Sequence, residues 1–559
     1  MNESGRRRVL VIGLDGATFD LIEPWAAAGC LPTFQRLMRE GAWGPLRSTL
    51  QPLTAPAWAS FMTGANQGQH GIYDFVRRAE GSYRIEMTDA SMIRRPTMFD
   101  LASDQGRRVA VLNMPFTFPP WPINGAMLSG SLMSLSGSQI AYPNTLYREI
   151  VSAVGDYIIT PDYDPRVTDP LADYAEALLH SVDLRARAAQ YLMSRETFDL
   201  FALVFTATDL AAHAFWAAME GDPTADPRFR DTIQAVYRRV DTALAELLAG
   251  LDDDTTVMVM SDHGTGRFKK GVLLNAWLAE MGLLQPRDVG HIDWRSLSGR
   301  LLQGAVRSYR RVLSSGLRAW ARGRFGQYLT AAKGRLESSL TTQPINWSQT
   351  RAYALGAGGN IFINLCGREP EGIVAPGRDY ESVRQEIIAG LEELRDPETG
   401  ELVVARVHRR EDIYQGPYLD RAPDLVVEWH DYGYWGRDRV NPTSRQLFQV
   451  EDTFEFSSLP LSGSHRLDGI LIAHGASVRA GARIEDACIT DLAPTTLHCR
   501  GQPAPAFKDG RVLTEMLAGP TSVSSEARGA EVSPQRPRHA YSAAEEEAIR
   551  KRLEELGYL

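Results

Sequence analysis

Four places in this chain put an aspartate or a histidine directly after a predicted strand or inside a glycine-bearing turn. Asp15 follows the run Val9-Leu10-Val11-Ile12-Gly13-Leu14. Asp209 and His213 stand four residues apart after the run ending at Phe205. Asp262 and His263 sit in Ser261-Asp262-His263-Gly264, and His465 lies in Ser462-Gly463-Ser464-His465, just before the run Gly469–Ile472. Alone each is a weak signal, because an aspartate after a strand is more often a helix N-cap. Together they offer three carboxylates and three imidazoles, and mixed Asp and His ligands suit Zn2+ or Mn2+. Six such groups exceed what one tetrahedral ion takes, so two ions is the economical count. Two ions ~4 Å apart suit in-line displacement at phosphorus or sulfur, one activating the nucleophile and the other neutralising the leaving oxygen.

That chemistry needs a nucleophile. In Gln51-Pro52-Leu53-Thr54-Ala55-Pro56-Ala57-Trp58 a turn leads into a helical pattern and exposes the Thr54 hydroxyl at a helix N-terminus, where backbone N–H groups and the dipole favour an anion. A free threonine is a poor nucleophile, and metal coordination lowers its pKa. The competing reading is that Thr54 simply caps the helix.

The elements that must position these groups read as α/β. Short apolar runs at Arg108–Leu112, Leu200–Phe205, Thr255–Met260, Asp424–Val427 and Gly469–Ile472 resemble buried strands, with helical patterns at Asp169–Ser194 and Arg228–Leu251 between them. Strands alternating with helices predict a mostly parallel sheet flanked by helices, with ligands bound beyond the strands' carboxyl ends. The 559 residues, 44% hydrophobic and 23% charged, exclude a short binding module and a disordered chain. No run of ~18 apolar residues predicts a membrane span. The basic start Met1–Arg8 precedes an apolar run too short for a secretion signal, so a cytoplasmic location is expected. Cys30, Cys366, Cys488 and Cys499 form no CxxC pair and read as buried or incidental thiols.

The net charge of −9 argues against specific nucleic-acid binding, but it is unevenly spread. Between Arg287 and Glu337 eleven Arg and Lys face three acidic residues, an excess of eight positive charges interleaved with Leu, Tyr309, Trp320 and Phe325. We read a basic helical insert there, either a solvated face packed on the core, or a lid, or a patch attracting an anionic substrate or a membrane surface. The expected organisation is a catalytic core over 8–280, the insert or lid over 281–345, a second core part over 346–517 carrying His465, a linker over 518–541 and a tail helix over 542–559. The helix starts at the capping-box pattern Ser542-Ala543-Ala544-Glu545 and is expected to dock by Leu553, Leu556 and Leu559.

The ordered series Leu14-Asp15-Gly16, Thr54-Ala55-Pro56, His70-Gly71-Ile72, Asp209 with His213, Ser261-Asp262-His263-Gly264 and Ser464-His465 resembles the alkaline phosphatase superfamily, most closely its type I phosphodiesterase and nucleotide pyrophosphatase branch. The stretches Arg351–Gly356 and Asn360–Asn364 look like strands of that family's bacterial phosphohydrolase and phosphomutase-like members. The resemblance implies an alkaline-phosphatase-like α/β core. It implies two divalent ions, Zn2+ or Mn2+, one held by Asp15, Thr54, Asp262 and His263 and the other by Asp209, His213 and His465. Thr54 would be the nucleophile, forming a covalent intermediate with a small-molecule phosphodiester or phosphomonoester. Sulfatases of the superfamily need a Cys or Ser where this chain has Thr54, which disfavours their chemistry.

One position departs from the pattern. The nucleotide pyrophosphatases carry an asparagine twenty-one residues after the nucleophile, donating to a phosphoryl oxygen, and this chain has Phe75 there. Losing such a donor costs ~10²–10³ in rate unless another replaces it. The backbone N–H of Ala55, Asn66 and Gln69 are the candidates. His70 is a further substrate-side candidate, weighed against a structural histidine in a glycine-flanked turn. The function expected is therefore metal-dependent phosphate ester hydrolysis. Phosphotransfer or a mutase reaction at the same site is the alternative, and a non-catalytic scaffold using the basic insert a further one.

Overall fold

The apolar, β-branched run after Arg8 forms an inner strand, Arg8–Leu14, buried on both faces apart from its first residue. The computed structural model that shows this describes residues 7–130, 138–252, 254–287, 345–438, 447–449, 459, 461–505, 509–519, 525–526, 536–537 and 543–555. Among them a nine-stranded sheet runs in the order Ala487–Cys488, Ala42–Arg47, Asp468–His474, Thr255–Met260, Arg8–Leu14, Leu200–Phe205, Val109–Met114, Gly125–Ser129 and Ala141–Tyr142. Arg8–Leu14 pairs in parallel with both neighbours, and Val109–Met114 does the same with its own. Asp468–His474 runs antiparallel to Thr255–Met260 and to Ala42–Arg47. The helices Pro170–Arg195, Ala207–Glu220 and Thr232–Leu248 form one flanking group, and Thr54–Thr63, Met98–Asp104 and Leu492–Cys499 form another. This is the mostly parallel α/β sheet that the alternation of apolar runs and helical patterns predicts.

One expected strand lies elsewhere. The run at Asp424–Val427 forms Leu425–Trp429, which belongs to a separate antiparallel sheet with Ala352–Ala354, Asn360–Ile363 and Val404–Arg409. That sheet has its own apolar core, in which Ile361, Ile363, Val427 and Trp429 meet Ile387 and Leu391 of the helix Arg378–Glu392. Apolar periodicity specifies an extended, buried segment but not which strand it pairs with, so the run could not declare its sheet.

The basic insert falls largely on residues 288–344, outside the described residues. Its ends are described: Pro286 and Ile345 form an antiparallel bridge, and the Asn346 N–H donates to the Gln285 carbonyl at 2.8 Å. The chain thus leaves and rejoins the core at one point. In the 518–541 stretch, Ser525–Glu526 pairs in parallel with Ala504–Pro505, and Arg536 is buried. The tail helix spans Ala543–Glu555 and docks by Ile549 and Leu553; Leu556 and Leu559 lie outside the described residues. No helix among the described residues is long and apolar enough to cross a membrane.

Candidate active site

The strand Arg8–Leu14 delivers Asp15 to the sheet's carboxyl edge, where its N–H still bonds the Phe205 carbonyl at 3.0 Å. Gly16 turns the chain away with φ +65, and a Cβ there would come within 2.7 Å of Asp209 Oδ1. The close approach of these two segments therefore requires glycine. Asp209 and His213 lie one turn apart on the helix Ala207–Glu220. Asp262 and His263 fill the turn between Thr255–Met260 and Gly264–Arg267. The strand Gly463–Arg466 pairs antiparallel with Gly264–Arg267 and sets His465 opposite Thr265.

Thr54 is the first residue of the helix Thr54–Thr63, whose N-cap is Leu53 with no side-chain cap. The capping reading of Thr54 is thereby corrected. Its hydroxyl instead lies 3.5 Å from His263 Nε2. The first intrahelical bond runs from Ala57 N–H to the Leu53 carbonyl, so the helix geometry leaves the Thr54 and Ala55 N–H groups without an intrahelical acceptor, and Pro56 has none to offer.

All seven predicted ligand residues meet, and they are buried, from 0% exposed at Asp262 and His263 to 6% at Thr54. Each histidine places Nδ1 against a backbone carbonyl: His213 on Gly463 at 3.0 Å, His263 on Gly264 at 3.0 Å and His465 on Pro52 at 2.5 Å. A carbonyl can only accept, so Nδ1 carries the proton and Nε2 turns a lone pair inward, the arrangement of a metal-ligating imidazole. Asp209 Oδ1 is 3.4 Å from His213 Nε2 and 3.5 Å from His465 Nε2. His263 Nε2 is 3.3 Å from Asp262 Oδ2 and 3.7 Å from Asp15 Oδ1. The His263 and His465 rings stack at 3.6 Å.

The electrostatics call for a cation. Asp15 Oδ1, Asp209 Oδ1 and Asp262 Oδ2 are buried without a hydrogen-bond partner, a cost that a native protein bears where an ion satisfies them. Burial, followed by repulsion from Asp262 and Asp209, pushes the Asp15 carboxyl well up. Burial and Asp209 do the same to Asp262. Burial also opposes ionisation of Asp209, but His213 and His465 outweigh it and hold that carboxyl low. Burial and then His465 push His263 well below its ordinary value, keeping it neutral. Two ligand groups emerge, Asp209 with His213 and His465, and Asp15 with Asp209 and His263. These residues fit a pair of divalent ions, with one difference from the implied assignment: Asp209 belongs to both groups.

The predicted substrate-side residues are placed otherwise. Asn66 caps the short helix Gln67–His70, accepting from Gly68 N–H at 2.7 Å, and donates to Asp509. Gln69 accepts from Arg95. His70 is fully buried, with Nδ1 accepting from Ile72 N–H at 3.2 Å and Nε2 2.9 Å from Ser60 Oγ, the contacts of a structural imidazole. Phe75 is buried in the apolar core and offers no side-chain donor. Of the candidate oxyanion donors only the Ala55 N–H stands beside Thr54.

Two neighbours of the site carried no sequence signal. Trp435 sets its ring 5.6 Å from that of His465. Gln51, at φ +59, is buried with its Oε1 unpartnered and packs against Gly358. A left-handed conformation at a glutamine is a product of its surroundings, so nothing in Gln51-Pro52 announces it.

The model of the type I phosphodiesterase/nucleotide pyrophosphatase family matches residues 9–452. Among solved structures, phosphonoacetate hydrolase from Sinorhizobium meliloti 1021 in complex with phosphonoformate is similar at TM-score 0.51 and 15% identity, covering 89% of this chain and 96% of that one. Its complex with phosphonoacetate gives the same values. Human ectonucleotide pyrophosphatase/phosphodiesterase 5 aligns at TM-score 0.49 and 14% identity over 92% of this chain and 100% of that one. No curated protein sequence matches this chain.

Proposed function

This chain belongs to the type I phosphodiesterase/nucleotide pyrophosphatase family of the alkaline phosphatase superfamily, and on that premise we propose that it hydrolyses small-molecule phosphate esters at two divalent metal ions through a covalent intermediate on Thr54. The observation that carries this reading is the convergence of Thr54 with six buried Asp and His side chains whose oxygens and Nε2 atoms all face one another. Asp15, Thr54, Asp262 and His263 would hold one ion and Asp209, His213 and His465 the other, with Asp209 close to both. When bound, the ions supply the positive charge that favours the Thr54 alkoxide and shields the phosphoryl oxygens.

Thr54 Oγ1, on losing its proton, forms a bond to phosphorus as the ester P–O bond breaks and the leaving oxygen takes up a proton to depart as the alcohol; water then bonds phosphorus as Oγ1–P breaks, its proton returning to Thr54. The Ala55 N–H, at the positive end of its helix, is placed to donate to a nonbridging oxygen and takes over the duty that Phe75 cannot perform. The carbonyls of Pro52, Gly463 and Gly264 keep the three imidazoles in one tautomer throughout.

The test is turnover of bis-p-nitrophenyl phosphate, p-nitrophenyl phosphate and p-nitrophenyl phosphonates by protein loaded with Zn2+ or Mn2+. Thr54→Ala is expected to lower kcat at least ~10³-fold. Equal turnover by the two proteins would overturn the nucleophile assignment.

A further inference from the structure

His465 reaches the site on a strand of four residues, Gly463–Arg466, whose one sheet partner is the equally short Gly264–Arg267. A two-stranded ribbon is marginal on its own, so contacts outside it must fix the imidazole. Side chains alternate across a strand, and on the face opposite His465 the next residue, Arg466, folds back over the ribbon. Its Nη1 donates to the His465 carbonyl at 3.0 Å and to the Tyr432 carbonyl at 2.6 Å, and its Nη2 donates to the Arg267 carbonyl at 2.6 Å. Gly266 makes the room: a Cβ there would come within 2.5 Å of Arg466 Nε and Cζ. The guanidinium is half-buried, and no carboxylate of the described residues pairs with it. Withdrawing a charge from water for neutral acceptors alone is a poor source of stability, whereas a planar fork that spans three carbonyls fixes geometry. The far end of the fork holds a strained turn. Asp431 and Tyr432 take φ +50 and +49 in succession, left-handed conformations that persist at non-glycine residues only where the surroundings impose them. This turn leads from Leu425–Trp429 of the second sheet into the strand Tyr434–Arg437, where Trp435 sets its ring against that of His465. Arg466 therefore grips His465 by its carbonyl and, through Tyr432, the turn that delivers Trp435 to the same imidazole.

We propose that Arg466 is a positioning residue for His465, its guanidinium clamping the ribbon behind His263 and His465 to the Asp431–Tyr432 turn and so fixing the imidazole that would hold the ion shared with Asp209 and His213. The inference rests on the two-ion reading above. The full-length chain is loaded with zinc, gel-filtered and assayed well below its melting temperature for bound metal by mass spectrometry and for kcat and KM on bis-p-nitrophenyl phosphate. Arg466→Met is expected to retain one of the two ions ~10–100-fold less tightly, the range for losing a partner that orients a ligand, with kcat lowered and KM little changed. Arg466→Lys, which keeps the charge but reaches fewer carbonyls, should restore part of both. Gly266→Ala keeps Arg466 but pushes its guanidinium aside, so it should reproduce Arg466→Met, and it is read in its place if Arg466→Met does not fold. Asp424→Ala removes a buried carboxylate of the second sheet that bonds Arg368, Ile363 and Tyr380 and not Arg466; it should lower the melting temperature and keep both ions. Two bound ions and wild-type kcat in Arg466→Met, or the same loss of an ion in Asp424→Ala, would overturn the proposal while leaving the two-ion reading intact. A wild-type chain that binds no zinc would overturn both.

Discussion

His213 and His465 hold their Nε2 atoms 3.1 Å apart, each ring with its Nδ1 against a carbonyl oxygen. Asp209 Oδ1 closes that triangle and also reaches toward Asp15 and His263. Asp209→Asn is therefore expected to reduce bound metal at both positions and to lower kcat more than ~100-fold, beyond the cost of an outer partner of a ligand. Metal content and turnover measured together check this; loss of one ion alone would assign Asp209 to a single position. His70 makes the opposite prediction. Burial holds it neutral, with its pKa pushed down to about 3, whereas in the unfolded chain it protonates near ~6.5. Between those values the unfolded chain binds more protons, so stability falls as pH drops through that window. Denaturant unfolding of His70→Asn should show a shallower loss between pH ~6.5 and ~3, with the KM of wild type at neutral pH.

The second sheet is joined to its helix through Asp424, which is fully buried and accepts from Arg368 at 2.6 Å, from the Ile363 N–H at 2.6 Å and from Tyr380 at 2.7 Å. Burial works against its ionisation, but Arg368 and Arg410 outweigh it and hold the carboxyl below its usual range. Asp424→Ala leaves Arg368 with Glu369 as its remaining carboxylate and strips the Ile363 N–H and the Tyr380 hydroxyl of their acceptor, so a loss of ~3–5 kcal/mol is expected in urea unfolding. The loop Gly356–Asn360 connects this sheet to the site. Asp74, next to Phe75, accepts from Ala357 N–H and from Asn360, both at 2.9 Å. Gly358 has φ +81, and a Cβ there would meet Gln51 Oε1 at 2.4 Å. Gly358→Ala should cost ~1–3 kcal/mol through backbone strain. It should also lower kcat, because Gln51 leads directly into the turn before Thr54; unchanged kcat in a folded variant would separate the loop from the site.

Across the whole molecule, the proposed two-ion site would tie folding to metal through its buried carboxylates. With ions at 1,000 times their Kd the folded state gains ~4 kcal/mol for each one bound, so a chelator is expected to lower the melting temperature along with activity, and an unchanged melting curve would show that no ion contributes. The donors were legible in the sequence because Asp15, Asp262 and Asp209 follow apolar runs, and an Asp or His at a strand's carboxyl end is a local pattern. So was Thr54, at a turn leading into a helical pattern, and so were the α/β alternation and the tail helix. The role of His70 was less legible, because a buried imidazole and a substrate-binding one look alike until Ser60 and Ile72 appear beside it. The sequence by itself determined the residue types, their order and the class of chemistry. Tertiary structure alone decided that Asp209 lies near both ligand groups, that Leu425–Trp429 belongs to a sheet other than the central one, and that Arg552 is buried against the Pro161 carbonyl. Those outcomes depend on which strands pair and how distant segments pack, and local periodicity carries no record of either.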